Sequence, residues 1–297
     1  MPDIRGRFAP SPSGPLHLGS LLAAVGSYLT ARSAGGHWLV RMEDLDPPRV
    51  APGAGDAILR ALEAHGLQWD EEPLYQSRRG EAYRAAIAQL QASGLVYPCA
   101  CTRRELATIA HAGVDGPVYP GTCRNGLGTG RTPRALRVRV ADQEFGLVDT
   151  VQGDYRHTLP QAVGDFVVQR ADGLIAYQLA VVVDDAYQGI TQVVRGIDLL
   201  SSTPRQIYLH SCLGLPTPSY AHLPLLVDRH GAKLGKQTSA AGLDPKRASA
   251  NLSLVLQALR HAPPAELHGA APTALLQWAT QHWQPGRLAG QAEAVVP

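Results

Sequence analysis

Residues 4–42 of the chain read IRGRFAPSPSGPLHLGSLLAAVGSYLTARSAGGHWLVRM, and this stretch decides the fold. Residues 4–9 predict a short strand, and the prolines that follow exclude both helix and sheet up to residue 15. Apolar residues recur at helical spacing over 16–34, before a Gly-Gly stop signal, and residues 37–42 are typical of a buried strand. This succession predicts a βαβ unit, and therefore a parallel sheet with a ligand site at the carboxyl ends of its strands.

The rest of the chain continues the α/β pattern. Helical periodicity marks three further stretches, whereas three apolar runs are strand-like and predict a return to the sheet; the helices are 56–65, 79–92 and 244–259, and the strands are 166–170, 176–183 and 192–195. Between the helix at 79–92 and the strand at 166–170, the chain is rich in glycine and proline around its cysteines, which predicts an insertion. We therefore predict an α/β fold with a Rossmann-like parallel-sheet core at 1–78 and 178–215, an inserted subdomain at 79–177 and a mainly helical segment at 216–297.

Composition limits the class of protein. The chain has 297 residues, of which 45% are hydrophobic and 18% charged, as expected of a globular protein with a substantial core. A net charge of +2 permits contact with phosphate but does not by itself indicate a partner. The sequence has neither an apolar signal core near its start nor an apolar run of about 20 residues, so we expect no membrane span and a cytoplasmic location.

The first candidate site is the loop that leads to His17, which precedes the predicted helix. A helix N-terminus presents unpaired N–H groups and partial positive charge, so a nucleotide phosphate can bind there with the imidazole as an additional donor. Gly19 would let a flat ring approach the backbone. A histidine at a helix start is also a common capping or packing residue, so this loop alone does not identify a nucleotide site.

The second candidate site is the segment 233–237 (KLGKQ), in which Lys233 and Lys236 lie three residues apart. Two mobile ammonium groups can neutralise the charge that develops on a triphosphate as pyrophosphate leaves. A solvated turn is the alternative interpretation of such a pair.

Taken together, the two loops resemble the HIGH and KMSKS signatures of class I aminoacyl-tRNA synthetases. Residues 7–12 (RFAPSP), 41–46 (RMEDLD) and 194–206 (VRGIDLLSSTPRQ) are similar to segments of the glutamyl branch of that family, and the likeness extends from about residue 4 to residue 240. This chain has Gly235 where the family generally has serine, and Ser20 where the generic HIGH motif has its last histidine.

The resemblance implies a role for each matching residue. Arg7 and Arg195 would bind the two carboxylates of glutamate, Glu43 would bind its ammonium group, and Tyr177 would line the pocket. The remaining implied residues fall into three sets: Phe8, Ala9, Pro10 and Ser11 in the glutamate pocket, His17, Gly19, Ser20 and Lys236 at ATP, and His17, Lys233 and Lys236 in catalysis. Without the surrounding motifs, each charged residue could equally form a surface ion pair.

The third candidate site contains Cys99, Cys101, Tyr119 and Cys123. Two thiolates in C-x-C, a third beyond a loop rich in glycine and proline, and one more donor would complete a tetrahedral zinc site that holds the insertion together. Buried free thiols are the alternative, and His111 is a rival fourth ligand. Cys212 lies far from the other three, and this arrangement does not fit a secreted disulfide framework.

The spacing C-x-C-x17-Y-x3-C resembles the zinc signature of the glutamyl-queuosine tRNA(Asp) synthetases, short paralogues of glutamyl-tRNA synthetase. That resemblance implies one structural Zn²⁺ and ATP-dependent activation of L-glutamate, with Mg²⁺ accompanying the ATP. The glutamyl group would then pass to queuosine in the anticodon arm of tRNA(Asp), and the enzyme is expected to be a monomer. Only 61 residues follow Lys236, so we expect no anticodon-binding domain.

Two other functions remain open from the residues alone. One is a truncated or discriminating glutamyl-tRNA synthetase that esterifies a 3′-terminal adenosine. The other is an RNA-binding paralogue that has kept the fold and lost the activity.

Overall fold

The computed structural model describes residues 4–232 and 242–295. Its first elements are those predicted from the opening stretch: strand β1 (Arg5–Phe8), helix α1 (Leu18–Ser33) and strand β2 (His37–Met42). β1 and β2 pair in parallel, from Arg5 beside His37 to Phe8 beside Val40. The predicted βαβ unit is therefore confirmed.

The other helices and strands follow in chain order. They are α2 (Ala54–Ala64), β3 (Leu74–Tyr75), α3 (Gly80–Ala92), β4 (Val96–Cys99), α4 (Arg103–Ile109), β5 (Ala112–Gly113), β6 (Gly116–Pro117), β7 (Ala135–Val138), β8 (Glu144–Asp149), β9 (Gly153–Thr158), α5 (Leu159–Ala162), β10 (Phe166–Gln169), α6 (Tyr177–Tyr187), β11 (Gln192–Gly196), α7 (Thr203–Leu213), β12 (Ser219–Leu223), β13 (Leu225–Val227), α8 (Ala248–Ala258), α9 (Pro272–His282) and β14 (Glu293–Val295).

The central strands are β3, β2, β1, β11 and β12. β3 pairs in parallel with β2, and β12 pairs in parallel with β11. β11 lies next to β1, where the Thr191 N–H donates to the Arg5 carbonyl oxygen at 3.0 Å and the Arg5 N–H donates to Thr191 Oγ1 at 2.9 Å. α1 packs on this layer, with Leu21, Leu22 and Val25 in the largest apolar cluster of the described chain.

The segment between α3 and α6 has a different architecture. β4, β7 and β10 form an antiparallel sheet, and β8 and β9 form an antiparallel hairpin. The predicted strand at 166–170 is therefore present as β10, but it pairs with β7 and does not resume the parallel sheet. The predicted return to the parallel sheet is correct for 192–195, which lies in β11.

The prediction of a strand at 176–183 was wrong, because residues 177–183 belong to helix α6 and Ala176 is its N-cap. Its run of three valines favours a strand by propensity. Leu179, Ala180, Val181 and Val182 are all buried, so the helix is apolar on more than one face and lacks the polar face that marks a surface helix. Periodicity alone cannot distinguish such a buried helix from a buried strand.

The C-terminal segment packs against α1. The Asp244 side chain accepts from the Lys246 N–H at 2.9 Å before α8, as its sequence predicts, and leucines of α8 and α9 join the cluster around α1. Trp283 Nε1 donates to Thr30 Oγ1 of α1 at 3.0 Å. The segment also contributes strand β14, parallel to β13, which helical periodicity did not predict. Across the described ranges, every helix is too short or too polar to span a bilayer.

Candidate active site

One cavity of about 540 Å³ opens where β1, β2, β11 and β12 end. Its lining includes the loop after β1, Glu43 after β2, Arg195 near the end of β11 and residues 224–226 after β12. The Glu43 N–H donates to the Pro10 carbonyl oxygen at 3.0 Å, which joins the first two of these loops. The predicted residues that line this cavity are Arg7, Phe8, Ala9, Pro10, Ser11, His17, Gly19, Ser20, Glu43, Tyr177 and Arg195.

His17 is the N-cap of α1. Its Nδ1 accepts from the backbone N–H of Ser20 at 3.2 Å, and its Nε2 lies 3.0 Å from Ser20 Oγ. Because Nδ1 accepts, a neutral ring carries its proton on Nε2. The loop therefore holds the His17 imidazole and the first turn of a 16-residue helix against the cavity. This is an environment that favours an anionic ligand.

Arg195 is held in place by three side chains. Its Nε donates to His222 Nε2 at 3.1 Å, Nη1 donates to the Tyr177 hydroxyl at 3.2 Å, and Nη2 donates to Thr203 Oγ1 at 2.8 Å. Burial raises the pKa of the Tyr177 phenol, so this group stays protonated at neutral pH. A rigid guanidinium with defined orientation is suited to binding a carboxylate.

Arg7 belongs to a buried charge network. Its Nε donates to Asp185 Oδ1 at 3.1 Å, and Arg41 Nη1 donates to the same oxygen at 2.7 Å. Arg41 Nη2 lies 3.3 Å from Glu43 Oε1, and Arg41 Nη1 also donates to Gln188 Oε1 at 3.0 Å. Two guanidinium groups therefore share two carboxyl groups, and the Arg7 and Glu43 ends of the network line the cavity.

The carboxyls of this network differ in their electrostatics. Burial opposes ionisation of Asp185, but Arg41 and Arg7 hold its pKa at about 2. Burial raises the pKa of the Glu43 carboxyl, and Arg41 and Arg7 only partly oppose that rise. A cationic ligand beside Glu43 would favour its ionised form, so the site gains from an ammonium group at this position.

The cysteine cluster lies apart from this cavity. Cys101 Sγ is 3.6 Å from Cys123 Sγ, and the Tyr119 hydroxyl is 3.5 Å from Cys99 Sγ and 3.8 Å from Cys101 Sγ. The edges of a tetrahedron around zinc with thiolate ligands are about 3.8 Å long, so these distances fit a metal site. Among the His, Cys, Asp and Glu side chains of the described ranges, those that converge at this point are the three cysteines. His111 is not part of the group.

Lys233 and Lys236 lie outside the described residues, so their proposed proximity to His17 stays a prediction. The described chain on either side of them is close to the cavity. Residues 224–226 line it, and the Leu243 N–H donates at 2.9 Å to the carbonyl oxygen of Leu16, another lining residue.

Known proteins show where this chain belongs. The model of the catalytic domain of class I tRNA synthetases (E and Q) matches residues 3–250. A protein of Thiobacillus denitrificans named glutamyl-Q tRNA(Asp) synthetase is 59% identical over 94% of this chain and 92% of its own length. Relatives with the same name in Geobacter sulfurreducens and Pseudomonas aeruginosa are 54% and 53% identical over 97% and 95% of this chain, and over 94% of each relative. This chain belongs to the glutamyl-Q tRNA(Asp) synthetase family.

The fold of this synthetase also has a solved counterpart. The glutamate tRNA ligase of Elizabethkingia meningosepticum, a structure containing its amino acid, has a TM-score of 0.82 and 26% identity. The likeness covers 99% of this chain and 67% of the ligase. The class I synthetase fold predicted from the motifs is therefore confirmed.

Several residues of the synthetase's cavity and its support were not predicted. Asp198 and Leu199 line the cavity, and Gly196 allows Asp198 to fold back, because a Cβ at Gly196 would lie 2.6 Å from Asp198 Oδ1. Arg41 lies in the segment 41–46 that resembles the glutamyl branch, but it was assigned no role because it reads as part of a strand. Asp185 was missed because it follows an apolar run, 176–183, that does not indicate its partner. The adjacent acids at 184 and 185, directly after that run, were the available signal, since buried carboxylates require partners.

We expect Asp185→Asn to destabilise the synthetase by about 3 kcal/mol at pH 7, because Arg7 and Arg41 would be left buried without their shared anion. The folded-state pKa of Asp185 is depressed from 3.8 to about 2, so its ionic contribution is present above pH 4 and is lost as pH falls toward 2. Urea unfolding at several pH values measures the free energy of unfolding of the wild type and of Asp185→Asn. The difference between the two proteins should narrow as the pH falls from 4 toward 2.

The exposed Asp172, which pairs with Arg170 at the surface, supplies the control. Asp172→Asn should change the free energy of unfolding by less than about 0.5 kcal/mol. Equal stability of the Asp185→Asn variant and the wild type at pH 7 would contradict the electrostatic interpretation of the network.

Proposed function

We propose that this synthetase activates L-glutamate with ATP and transfers the glutamyl group to queuosine in tRNA(Asp). The observation that supports it best is the convergence of the His17 loop, Arg7, Arg195 and Glu43 on one cavity at the strand ends. This arrangement brings an anion-binding helix start next to cationic and anionic groups suited to an amino acid.

We assign the glutamate site as follows. Arg195, held by Tyr177 and Thr203, binds one carboxylate of the substrate, and Arg7 binds the other. Glu43 binds the ammonium group, whose positive charge favours the ionised carboxyl. Phe8, Ala9, Pro10 and Ser11 shape the rest of this pocket.

The ATP site would lie at the start of α1, with His17, Gly19 and Ser20 around the nucleotide. The glutamate α-carboxylate would attack the α-phosphate in line, forming glutamyl-adenylate and releasing pyrophosphate. Lys233 and Lys236 would neutralise the charge that develops on the leaving group, and Mg²⁺ would accompany the ATP. No covalent intermediate with the protein is required.

The tRNA-facing part of the proposal concerns residues 79–177, which we assign as the inserted subdomain between the core segments 1–78 and 178–215, with 216–297 as the C-terminal unit. Residues 99–139 contain seven arginines, no lysine and two acidic residues, whereas the whole chain carries only +2. Such a local excess of positive charge suits contact with the phosphates of an RNA arm. We propose that this subdomain contacts the anticodon arm.

We propose one structural Zn²⁺ in the insertion, held by Cys99, Cys101, Cys123 and Tyr119. The separations between their donor atoms suit tetrahedral coordination, and the soft thiolates suit zinc. When bound, the metal would supply cross-links between the C-x-C turn and the loop that carries Tyr119 and Cys123. We also propose that the synthetase works as a monomer in the cytoplasm, where its tRNA substrate is found.

The proposal is tested in two steps. ATP–pyrophosphate exchange that depends on glutamate but not on tRNA would support adenylate formation, and lack of exchange with or without tRNA would instead favour an inactive RNA-binding paralogue. Radiolabelled glutamate should then map to the anticodon-loop fragment of digested tRNA(Asp). Label on the 3′-terminal fragment would contradict queuosine as the acceptor and favour esterification of the terminal adenosine. A tRNA(Asp) that carries guanine in place of queuosine is the matched control.

A further inference from the structure

The orientation of Arg195 depends on a histidine, His222, that does not itself line the cavity. Arg195 of β11 is the register partner of His222 of β12, and both side chains are buried. Arg195 Nε donates to His222 Nε2 at 3.1 Å. A guanidinium N–H can only donate, so His222 Nε2 must present a lone pair to it.

The other ring nitrogen of His222 faces Asp149, the last residue of β8. His222 Nδ1 lies 2.6 Å from Asp149 Oδ2. Asp149 Oδ1 accepts from three backbone N–H groups, those of Val151 at 2.9 Å, Gln152 at 2.9 Å and His222 at 3.0 Å. Burial opposes ionisation of Asp149, but the hydrogen bonds from His222 and these backbone groups hold its pKa below the usual range.

Two independent partners therefore select the same tautomer of His222. Ionised Asp149 requires an N–H at Nδ1, and Arg195 requires an unprotonated Nε2. Burial lowers the pKa of His222; Asp149 opposes this, and Arg195 and Arg7 reinforce it, so the ring is neutral. The Tyr220 ring lies nearly parallel to it, with 6.1 Å between centroids, and Thr203 Oγ1 is 3.1 Å from Nε2.

We propose that Asp149 and His222 are positioning residues of the synthetase, through which an ionised carboxylate fixes the histidine tautomer that orients Arg195 for a carboxylate of the substrate. This inference rests on the proposed role of Arg195 in glutamate binding. It adds Asp149, at the end of β8, to the residues that support the amino-acid site. The β8–β9 hairpin lies within 79–177, the segment that we assign as the insertion.

Asp149→Asn tests the tautomer directly. Because three backbone N–H groups converge on the Oδ1 position, the amide oxygen must occupy it, and the NH2 group must face His222 Nδ1. The ring would then carry its proton on Nε2, and Arg195 Nε would lose its acceptor. We expect the KM for glutamate in ATP–pyrophosphate exchange to rise roughly tenfold or more, the effect of losing a hydrogen bond to a charged group. The KM for ATP should stay within about twofold, since this residue does not contact the ATP site that we propose.

Two substitutions of His222 separate its two contacts. In His222→Asn, the shorter amide can still donate to Asp149 near the Nδ1 position but leaves Arg195 without an acceptor. In His222→Gln, the longer side chain can place its carbonyl oxygen near the Nε2 position. We expect His222→Gln to keep the KM for glutamate within about threefold of wild type and His222→Asn to raise it roughly tenfold.

His65 provides the control for replacing any buried histidine. It is fully buried at the end of α2, where Nδ1 lies 2.6 Å from the Ala61 carbonyl oxygen and Nε2 lies near Asn251, and it does not line the cavity. His65→Asn should reduce thermal stability without changing the KM for glutamate.

Nitrogen-15 NMR supplies a measurement of the tautomer that is independent of activity, because protonated and unprotonated imidazole nitrogens differ in chemical shift. The His222→Asn spectrum identifies the His222 signal.

The expected results are a protonated Nδ1 in the wild type, a protonated Nε2 in Asp149→Asn and a higher glutamate KM in that variant. If the wild type catalyses exchange and Asp149→Asn leaves the glutamate KM within twofold, the inference is overturned and the proposed function stands. An equal KM for His222→Gln and His222→Asn would also overturn it. Lack of exchange by the wild type would overturn the proposed function, and this inference with it.

Discussion

Arg195→Ala should lower kcat/KM for glutamate in ATP–pyrophosphate exchange by about 10³-fold. The substitution removes the guanidinium that we assign to a substrate carboxylate, and an unpaired buried carboxylate costs about 3–5 kcal/mol. It also leaves His222, Tyr177 and Thr203 without the donor that joins them. Initial rates measured over a range of glutamate concentrations would show the loss chiefly in the glutamate KM if Arg195 binds the ground state.

Arg195→Lys and Arg156→Ala are the companion variants. Lysine retains the charge but not the planar fork, so it should recover only part of the lost activity. Arg156 of β9 pairs with Asp154 and Glu144 at the surface and does not line the cavity, so Arg156→Ala should leave the kinetics unchanged. Wild-type kinetics in Arg195→Ala would remove Arg195 from the glutamate site.

The opening stretch was predictable because its signals are local. The prolines after β1, the helical spacing of α1 and the apolar run of β2 each depend on neighbours in sequence, and the structure confirms all three. The cavity follows from them, since parallel strands bring the loops after β1 and β2 to the same edge. The resemblance to the glutamyl branch, and not the strand pattern, assigned residues 7–11, 17 and 43 to that site.

The supporting residues were not predictable because their partners are distant in the chain. Asp185 lies 178 residues from Arg7, and Asp149 lies 73 residues from His222. Each reads locally as an acid in or beside an apolar run, which does not indicate its partner. The helix α6 was missed for a different reason, because its valines follow the propensity of a strand and its burial on more than one face removes the helical periodicity.

The cysteine cluster illustrates a different limit. The spacing in the sequence predicted the members of the cluster, but their contribution to the local core is visible only from the residues packed around them. Among the described residues, a small apolar cluster forms here, and the candidate ligands make up much of it. Its buried members are Tyr97, Cys99, Ala100, Tyr119 and Cys123, and the half-buried Cys101, Leu106 and Leu127 pack against them. Arg137 stacks on the Tyr119 ring at 3.8 Å and donates to Cys99 Sγ at 3.3 Å, which would offset the charge of the thiolates.

We expect the double variant Cys99→Ser, Cys123→Ser to lose its zinc, from one ion per chain to none by elemental analysis, and to open locally around residues 99–139. Binding of a structural zinc supplies about 10–16 kcal/mol in small zinc domains, and a core made largely of the ligands has little apolar contact to replace it. Amide hydrogen exchange should therefore accelerate throughout this segment. It should stay slow in β1, α1 and β2, whose side chains belong to a separate apolar cluster.

Cys212→Ser is the matched control, since Cys212 belongs to helix α7 and lies outside the cluster of candidate ligands. It should bind one zinc and keep the wild-type hydrogen-exchange pattern.

Tyr119→Phe tests the fourth ligand. The ring still stacks under Arg137, but the hydroxyl that faces Cys99 and Cys101 is removed. Zinc should therefore bind more weakly, while the thiolates still hold it. Unchanged zinc affinity in Tyr119→Phe would assign the fourth position to a group other than the phenol. Full protection of residues 99–139 after complete chelation would show that this segment folds without a metal, because its hydrogen bonds and few apolar contacts would then suffice.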